Sequence, residues 1–386
     1  MKLNNDLQEM MRKASRLLES GPKGIAANLI QRVLQRSLPG AIPTPERPAM
    51  KDINPPPAGR ELPPTPKVAT PKVATPPDVP AFVADLLQRF GARQPAPTPP
   101  PATDERGQFL SGTLSNAAGT RQYKLYVPAA YTGQALPLVV MLHGCTQNPD
   151  DFAAGTEMNA QAERTPCLVL YPAQAKSANG SQCWNWFNAV DQQREQGEPS
   201  IIADMTRKVM ADYKVLPKQV YVAGLSAGGA MAAIMGNTYP ELYAAVGIHS
   251  GLPYAAATDL MSAMQAMRNG MNETRSAQSL PSGSRPIIVF HGDHDKTVHP
   301  RNGEQLIEQH VRSEDPSTTE NGRVPNGHAY TRTQHQKRDG SPLAEQWLIH
   351  GAGHAWSGGS SKGTYTDARG PHATREMMRF FATQQG

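Results

Sequence analysis

Residues 219–233 constrain the fold more than any other stretch of the chain. Residues 220–222 are β-branched or aromatic and predict a buried strand, whereas the Ala- and Met-rich run after the turn predicts a helix. Between them, Gly224 and Gly228 flank Ser226 in a G-x-S-x-G pattern. Glycines there permit a sharp strand-to-helix turn that exposes a serine hydroxyl at a helix N-terminus. The stretch therefore predicts Ser226 as a candidate nucleophile.

Short apolar runs resembling this strand recur along the chain and alternate with helical patterns. They lie at residues 136–142, 168–171, 244–249, 286–291 and 345–350, and residues 201–213 show helical spacing of apolar side chains. Such alternation favours an α/β fold with a mainly parallel sheet covered by helices on both faces. Ligand sites in such sheets lie beyond the carboxyl ends of the strands, where the candidate residues below are found.

The N-terminal third of the chain differs in composition from the rest. We expect amphipathic helices within residues 1–36, a Pro-rich linker at 37–106 with a short helical island at 78–90, and one large catalytic domain at 107–386. Residues 41–101 hold 18 of the 36 prolines. Residues 1–36 carry seven Lys or Arg and three acidic side chains, which accounts for four of the five net positive charges.

This distribution of charge bears on partners and location. The main domain has almost no net charge, so we expect no nucleic-acid partner. The basic amphipathic N-terminal helices are candidates for docking on a polymer granule or lipid surface, with packing on a protein as the alternative. No apolar run of signal-peptide length opens the chain, so we expect a cytoplasmic protein, with extracellular location as the alternative.

A serine nucleophile needs a histidine base that a carboxylate orients. His354 follows the last strand in a Gly-rich loop and is the candidate base, with His372 as the alternative. Asp295 follows the penultimate strand in the pattern H-G-x-x-D-x-x-V and is the candidate acid, with Asp293 as the alternative. The chain order Ser226, Asp295, His354 is that of α/β-hydrolases.

The remaining site predictions concern the oxyanion and the substrate. The backbone N–H of Ala227 and that of Cys145, which follows Gly144 after the third strand, are the predicted oxyanion donors. Three tryptophans are candidates for an aromatic wall of the substrate cleft: Trp184, Trp186 and Trp356. A cluster at 291–299 contains His and Asp side chains but lacks the order of metallo-hydrolase ligands, so we expect neither a metal nor a cofactor.

Several motifs together resemble one enzyme family. They are L-H-G-C-T-Q at 142–147, C-W-N-W-F at 183–187, G-L-S-A-G-G-A-M at 224–231, H-S-G-L-P-Y at 249–254 and G-H-A-W-S-G-G at 353–359. In this order they resemble the polyhydroxybutyrate depolymerase family of esterases, which also contains feruloyl and acetylxylan esterases. The resemblance covers residues 107–384. It implies an α/β-hydrolase that cleaves esters through an acyl-enzyme.

The resemblance also implies a substrate class and a disulfide. It assigns the triad roles to Ser226, Asp295 and His354, and it implies a Cys145–Cys183 disulfide that leaves Cys167 as the free thiol. The favoured substrate is a 3-hydroxyalkanoate polyester or its oligomers, and aryl or acetyl esters on plant polysaccharide are the alternative. In a different class, residues 1–101 suggest a protein whose main task is association with a granule or membrane surface.

Overall fold

A ten-stranded sheet forms the framework of the protein. The computed structural model describes residues 106–272 and 285–384; the helices, linker and helical island predicted before residue 106 lie outside the described residues. The strands are β1 (Gln108–Asn116), β2 (Gly119–Val127), β3 (Leu136–Leu142), β4 (Leu168–Pro172), β5 (Val215–Leu225), β6 (Ala245–His249), β7 (Ile287–Gly292), β8 (Ser317–Arg323), β9 (Ala329–Gln336) and β10 (Pro342–Ile349). Two short strands, β11 (Trp356–Ser357) and β12 (Thr366–Asp367), pair separately in parallel.

The sheet has parallel strands at its centre and antiparallel strands at both edges. The strand order is β1-β2-β4-β3-β5-β6-β7-β10-β9-β8. The six strands from β4 to β10 in this order pair in parallel, and the pairs at either edge are antiparallel. This arrangement brings the carboxyl ends of six strands to one edge of the sheet.

Seven α-helices among the described residues cover the sheet. They are α1 (Pro149–Thr156), α2 (Met158–Arg164), α3 (Gly197–Asp212), α4 (Ala227–Thr238), α5 (Leu260–Asn269), α6 (Arg301–His310) and α7 (Ala373–Ala382). In the part of the chain that the structure describes, no helix combines the length and the apolar character that crossing a bilayer requires.

Two apolar cores lie on opposite faces of the sheet. Alternate side chains of the central strands point to each face, so Val220 and Val222 belong to one core and Tyr221 and Ala223 to the other. The first core packs against α3, α4, α5 and α6. The second packs against α1, α2 and α7. The expected fold, a mainly parallel sheet with helices on both faces, is confirmed.

Candidate active site

Ser226 occupies the sharp turn between β5 and α4. Its backbone has φ 57° and ψ −120°, which is unusual for a residue with a side chain. Two glycines make the turn sterically possible. A Cβ on Gly224 would lie 2.3 Å from the Gly228 carbonyl oxygen, and a Cβ on Gly228 would lie 2.0 Å from that of Leu142. The Ser226 N–H donates to the His249 carbonyl at 2.9 Å, which fixes the turn against β6.

Asp295 and His354 form a close pair in the loops after β7 and β10. His354 Nδ1 lies 2.7 Å from Asp295 Oδ2. The other carboxylate oxygen, Oδ1, accepts hydrogen bonds from the N–H groups of Thr297 and Val298, each at 2.9 Å. The Asp295 side chain is fully buried. The carboxylate is therefore held from both sides and aimed at one ring nitrogen.

Competing influences set the charge of Asp295. Burial raises its pKa, but the His354 ring, the nearby His291 and the Val298 N–H together outweigh burial and lower the pKa to about 2. The carboxylate is thus ionised at neutral pH and accepts a hydrogen bond from His354 Nδ1–H. This tautomer leaves His354 Nε2 free to accept a proton.

The lowered pKa predicts an acid-dependent loss of stability. A folded-state pKa of about 2 lies below the ordinary 3.8, so the ionised carboxylate stabilises the fold above about pH 4 and this contribution is lost as the pH falls through 2. The ionised carboxylate contributes about 2 kcal/mol to the free energy of unfolding. We expect the free energy of unfolding to fall more steeply between pH 4 and 2 in the wild type than in Asp295→Asn, measured by urea titration. If the free energy of unfolding fell equally with pH in the two proteins, Asp295 would not be an ionised carboxylate with a lowered pKa.

Ser226 and His354 line the same cavity, which has a volume of about 410 Å³. Among the described residues, the serine hydroxyl and the imidazole make no direct hydrogen bond. Such bonds are often long in a protein without substrate and shorten when the substrate binds. The cavity wall is mostly apolar, with Leu252, Met264 and Met267 on its surface. It is therefore suited to a substrate with apolar groups around the reacting bond.

The two predicted oxyanion donors also face this cavity. Cys145 and Ala227 both line it, and neither backbone N–H donates to an acceptor within the described ranges. The loop after β3 approaches the serine closely, since a Cβ on Gly144 would lie 3.6 Å from Ser226 Cβ. The two N–H groups therefore flank Ser226 from the adjacent loop and from the helix N-terminus.

Hydrogen bonds and a disulfide hold the loop after β3 in place. The Gly144 N–H donates to Gln147 Oε1 at 3.0 Å, and the Thr146 N–H donates to the Ser181 carbonyl at 2.7 Å. The structure joins Cys145 to Cys183 by a disulfide and leaves Cys167 as a free, buried thiol. The Cys145 N–H thus lies on a loop that is fixed at several points.

The three tryptophans do not form one wall, which corrects the expectation from sequence. Trp186 lines the cavity, but Trp184 and Trp356 do not. Trp184 is buried in the core and donates from Nε1 to the His143 carbonyl at 3.1 Å. Trp356 is fully buried, stacks on His249 and donates to Thr374 Oγ1 at 3.0 Å. Both indoles have structural partners that hold them away from the cavity.

The alternative base and acid have other contacts. His372 caps α7, where its Nδ1 accepts from the Arg375 N–H at 3.4 Å, and its ring lies 3.7 Å from Glu157. Asp293 pairs with His350 at 2.9 Å instead of with His354. Over residues 106–272 and 285–384, no group of three or more His, Cys, Asp or Glu side chains is arranged to hold a metal ion.

Helix α5 supplies part of the cavity that sequence reasoning missed. Leu260, Ala263, Met264 and Met267 of this helix line the cavity, as does Phe187. The spacing of Leu260, Met264 and Met267 along one helical face was a usable signal, but it is equally typical of a helix that packs on a core. Only the position of α5 beside the turn at Ser226 distinguishes a helix that lines the cavity from a helix that packs on the core.

The parallel sheet, the turn at Ser226 and the loops that follow β7 and β10 define an α/β-hydrolase. Residues 121–326, just over half of the chain, match the family described as esterase PHB depolymerase. The chain belongs to this family, which confirms the resemblance seen in its motifs.

Individual relatives carry several names within this family. The chain is 34% identical to poly(3-hydroxyalkanoate) depolymerase C of Paucimonas lemoignei over 260 residues, 64% of this chain and 60% of that protein. It is 31% identical to acetylxylan esterase A of Talaromyces purpureogenus over 52% of this chain and 56% of that protein. It is 29% identical to feruloyl esterase B of Neurospora crassa over 52% of this chain and 73% of that protein. The chain thus spans less than two thirds of the first two relatives.

A solved structure supports the fold. The acetyl xylan esterase from Aspergillus awamori matches with a TM-score of 0.55 and 18% identity, over 71% of this chain and 99% of that one. At this identity the match concerns the architecture alone.

Proposed function

We propose that this protein is a serine esterase that hydrolyses ester bonds through an acyl-enzyme. The observation that carries the proposal is the 2.7 Å contact between His354 Nδ1 and Asp295 Oδ2, made at the cavity that Ser226 also lines. An imidazole held in this tautomer is a base for a serine hydroxyl. Membership of the esterase family supports the same reaction.

In the first half of the proposed reaction, Ser226 Oγ attacks the ester carbonyl carbon and its proton passes to His354 Nε2. The carbonyl π electrons move to the oxygen, and the resulting oxyanion accepts hydrogen bonds from the Cys145 and Ala227 N–H groups. Each preorganised donor of this kind contributes on the order of 10²–10³ in rate. The C–O bond to the alcohol then breaks, and the leaving alkoxide takes the proton from His354 Nε2.

In the second half, water repeats the sequence on the acyl-enzyme. The water oxygen attacks the acyl carbon while His354 Nε2 accepts a proton from the water. The same two N–H groups stabilise the second oxyanion. The bond to Ser226 Oγ breaks, and Oγ recovers the proton from His354. The ionised Asp295 stabilises the imidazolium in both halves.

We propose a 3-hydroxyalkanoate polyester or its oligomers as the substrate. A cavity of about 410 Å³ with an apolar wall accommodates more than an acetyl group, and the methionines of α5 adapt to varied aliphatic chains. The similarity to the poly(3-hydroxyalkanoate) depolymerase of Paucimonas lemoignei supports this choice.

An aryl ester is the second candidate, on one specific observation. Trp186 and Phe187 line the cavity with their rings 5.6 Å apart in an edge-to-face arrangement. An aromatic acyl group gains favourable contacts from such a pair. The feruloyl esterase among the relatives supports this alternative.

Product release from three substrates tests these proposals. Wild type and Ser226→Ala would be assayed on amorphous polyhydroxybutyrate, soluble hydroxybutyrate oligomers and methyl ferulate. We expect the wild type to release hydroxybutyrate and the variant to release none. Release of ferulate alone would move the protein to the polysaccharide-decorating esterases.

A deletion variant tests the proposed association with granules, through product release and a separate measurement of granule binding. A chain without residues 1–101 should hydrolyse soluble oligomers like the full chain and lose binding to lipid-coated polymer granules. Undiminished granule binding would reject a role for the N-terminal segment.

A further inference from the structure

A second Asp–His pair lies beside the candidate catalytic pair. Asp293 precedes Asp295 by two residues, and His350 precedes His354 by four. His350 Nδ1 lies 2.9 Å from Asp293 Oδ2. The loop after β7 and the loop after β10 are therefore joined twice, once at the catalytic pair and once nearer the strand ends.

Asp293 also fixes the backbone where the histidine-bearing loop leaves β10. Its Oδ1 accepts from the Gly351 N–H at 2.7 Å, and its own N–H donates to the Ile349 carbonyl at 3.1 Å. One residue further on, the His294 N–H donates to the Ala352 carbonyl at 3.0 Å. Residues 349–352 are thus bonded to the acid-bearing loop at successive positions.

His328 connects the two ends of the same loop. Its Nδ1 donates to the His350 carbonyl at 2.9 Å, and its Nε2 lies 2.8 Å from Asp367 Oδ2. Asp367 belongs to β12, which pairs with β11 at Ser357, three residues after His354. A single imidazole therefore bridges the start of the loop and the short strand pair at its end.

The carboxylates in these contacts are ionised acceptors. Burial raises the pKa of Asp367, but hydrogen bonds from Arg369 and His328 outweigh it and hold the pKa well below the usual range. Burial likewise raises the pKa of Asp293, and contacts with His350 and the Gly351 N–H lower it overall. Charge-assisted hydrogen bonds of this kind are stronger than neutral ones.

We propose that Asp293 and His328 are positioning residues that hold the loop 350–354 so that His354 stays aligned between Asp295 and Ser226. The inference rests on the proposed esterase function. Neither residue lines the cavity within the described part of the chain, so each acts through the position of His354. A displacement of about 1 Å at a reacting group costs about 10²-fold in rate, so a loosened loop lowers kcat without weakening substrate binding.

Two variants and matched controls test this inference on the full-length protein. Asp293→Ala removes both acceptors, and His328→Phe keeps an aromatic ring without either ring nitrogen. We expect each to lower kcat for a soluble hydroxybutyrate oligomer about tenfold, with KM changed less than twofold. Asp293→Asn should restore most of the activity, because its amide oxygen still accepts from the Gly351 N–H and its side chain keeps the shape that places a polar atom beside His350 Nδ1.

The controls make the same changes at sites away from the loop. Asp339→Ala alters a carboxylate in an exposed turn, and His335→Phe alters a histidine on β9. Both should keep the wild-type kcat. If Asp293→Ala and His328→Phe also keep kcat within twofold, the inference is wrong. It is equally wrong if they raise KM and leave kcat unchanged, because that pattern indicates a binding role.

A readout that does not depend on turnover separates this inference from the proposed function. In protein with ¹⁵N-labelled histidine, the His354 Nδ1–H bonded to Asp295 should exchange slowly with water in the wild type. It should exchange at least tenfold faster in Asp293→Ala and His328→Phe at temperatures where circular dichroism shows both to be folded. Unchanged exchange would overturn the inference. Hydrolysis that persists in Ser226→Ala would overturn the proposed function, and the exchange measurement would still test the loop.

Discussion

Replacement of Ser226 by alanine is expected to lower kcat for ester hydrolysis about 10⁶-fold, the scale seen when a triad serine is removed from a serine hydrolase. Alanine keeps the Cβ and so fits the same turn, and the N–H of residue 226 still donates to the His249 carbonyl. The fold should therefore remain while the nucleophile is lost. The measurement is steady-state hydrolysis of a soluble hydroxybutyrate oligomer, with thermal melting as the check on folding.

A buried serine elsewhere provides the control. Ser200 lies in α3, outside the cavity lining, and donates to the Gly197 carbonyl at 2.8 Å. Ser200→Ala should leave kcat unchanged. A Ser226→Ala enzyme that retains more than about a hundredth of wild-type activity would show that another group carries out the attack, since removal of a triad serine costs far more than this.

Replacement of Asp295 by asparagine is expected to lower kcat about 10⁴-fold. An amide NH₂ directed at His354 Nδ1 favours the tautomer with the proton on Nε2, and that nitrogen then cannot accept a proton from Ser226. The shape of the side chain is nearly unchanged, so KM should change little. The measurement is the pair of constants kcat and KM on the same oligomer.

Comparison of Asp295→Asn with Asp293→Asn decides which of the two carboxylates orients His354. Asp293 bonds His350 and the Gly351 N–H, so its amide variant should keep most of the activity. A larger loss of kcat in Asp293→Asn than in Asp295→Asn would make Asp293 the acid of the triad in place of Asp295.

The fold could be predicted from sequence because its central strands are buried on both faces. Such strands appear as continuous apolar runs, and the six parallel strands of the sheet correspond to the runs found in the sequence. The turn at Ser226 was predictable for a local reason, since the clashes at Gly224 and Gly228 leave few other residues at those positions. The positions of Asp295 and His354 followed from their place after strands that lie near the centre of the sheet.

Features that depend on tertiary contacts were not predictable. The antiparallel strands β8 and β9 are mostly polar and partly exposed, so they lack an apolar signal. Trp184 stands in a polar stretch and Trp356 follows the candidate base by two residues, and both positions suggest a cleft wall. Both are nevertheless buried, where His143 and Thr374 supply hydrogen-bond acceptors for their indoles. The contacts of His328 join residues 22 and 39 positions apart, a pairing that no local pattern encodes.

The most direct test of the central claim is to detect the acyl group on Ser226. The enzyme would be mixed with p-nitrophenyl butyrate, quenched in acid within the first turnover, digested and analysed by mass spectrometry. We expect one butyryl group, carried by the peptide that contains residues 224–228 and attached to Ser226, and none in Ser226→Ala. Burst release of p-nitrophenol with no acyl group on that peptide, or with the acyl group on another residue, would contradict the proposed acyl-enzyme.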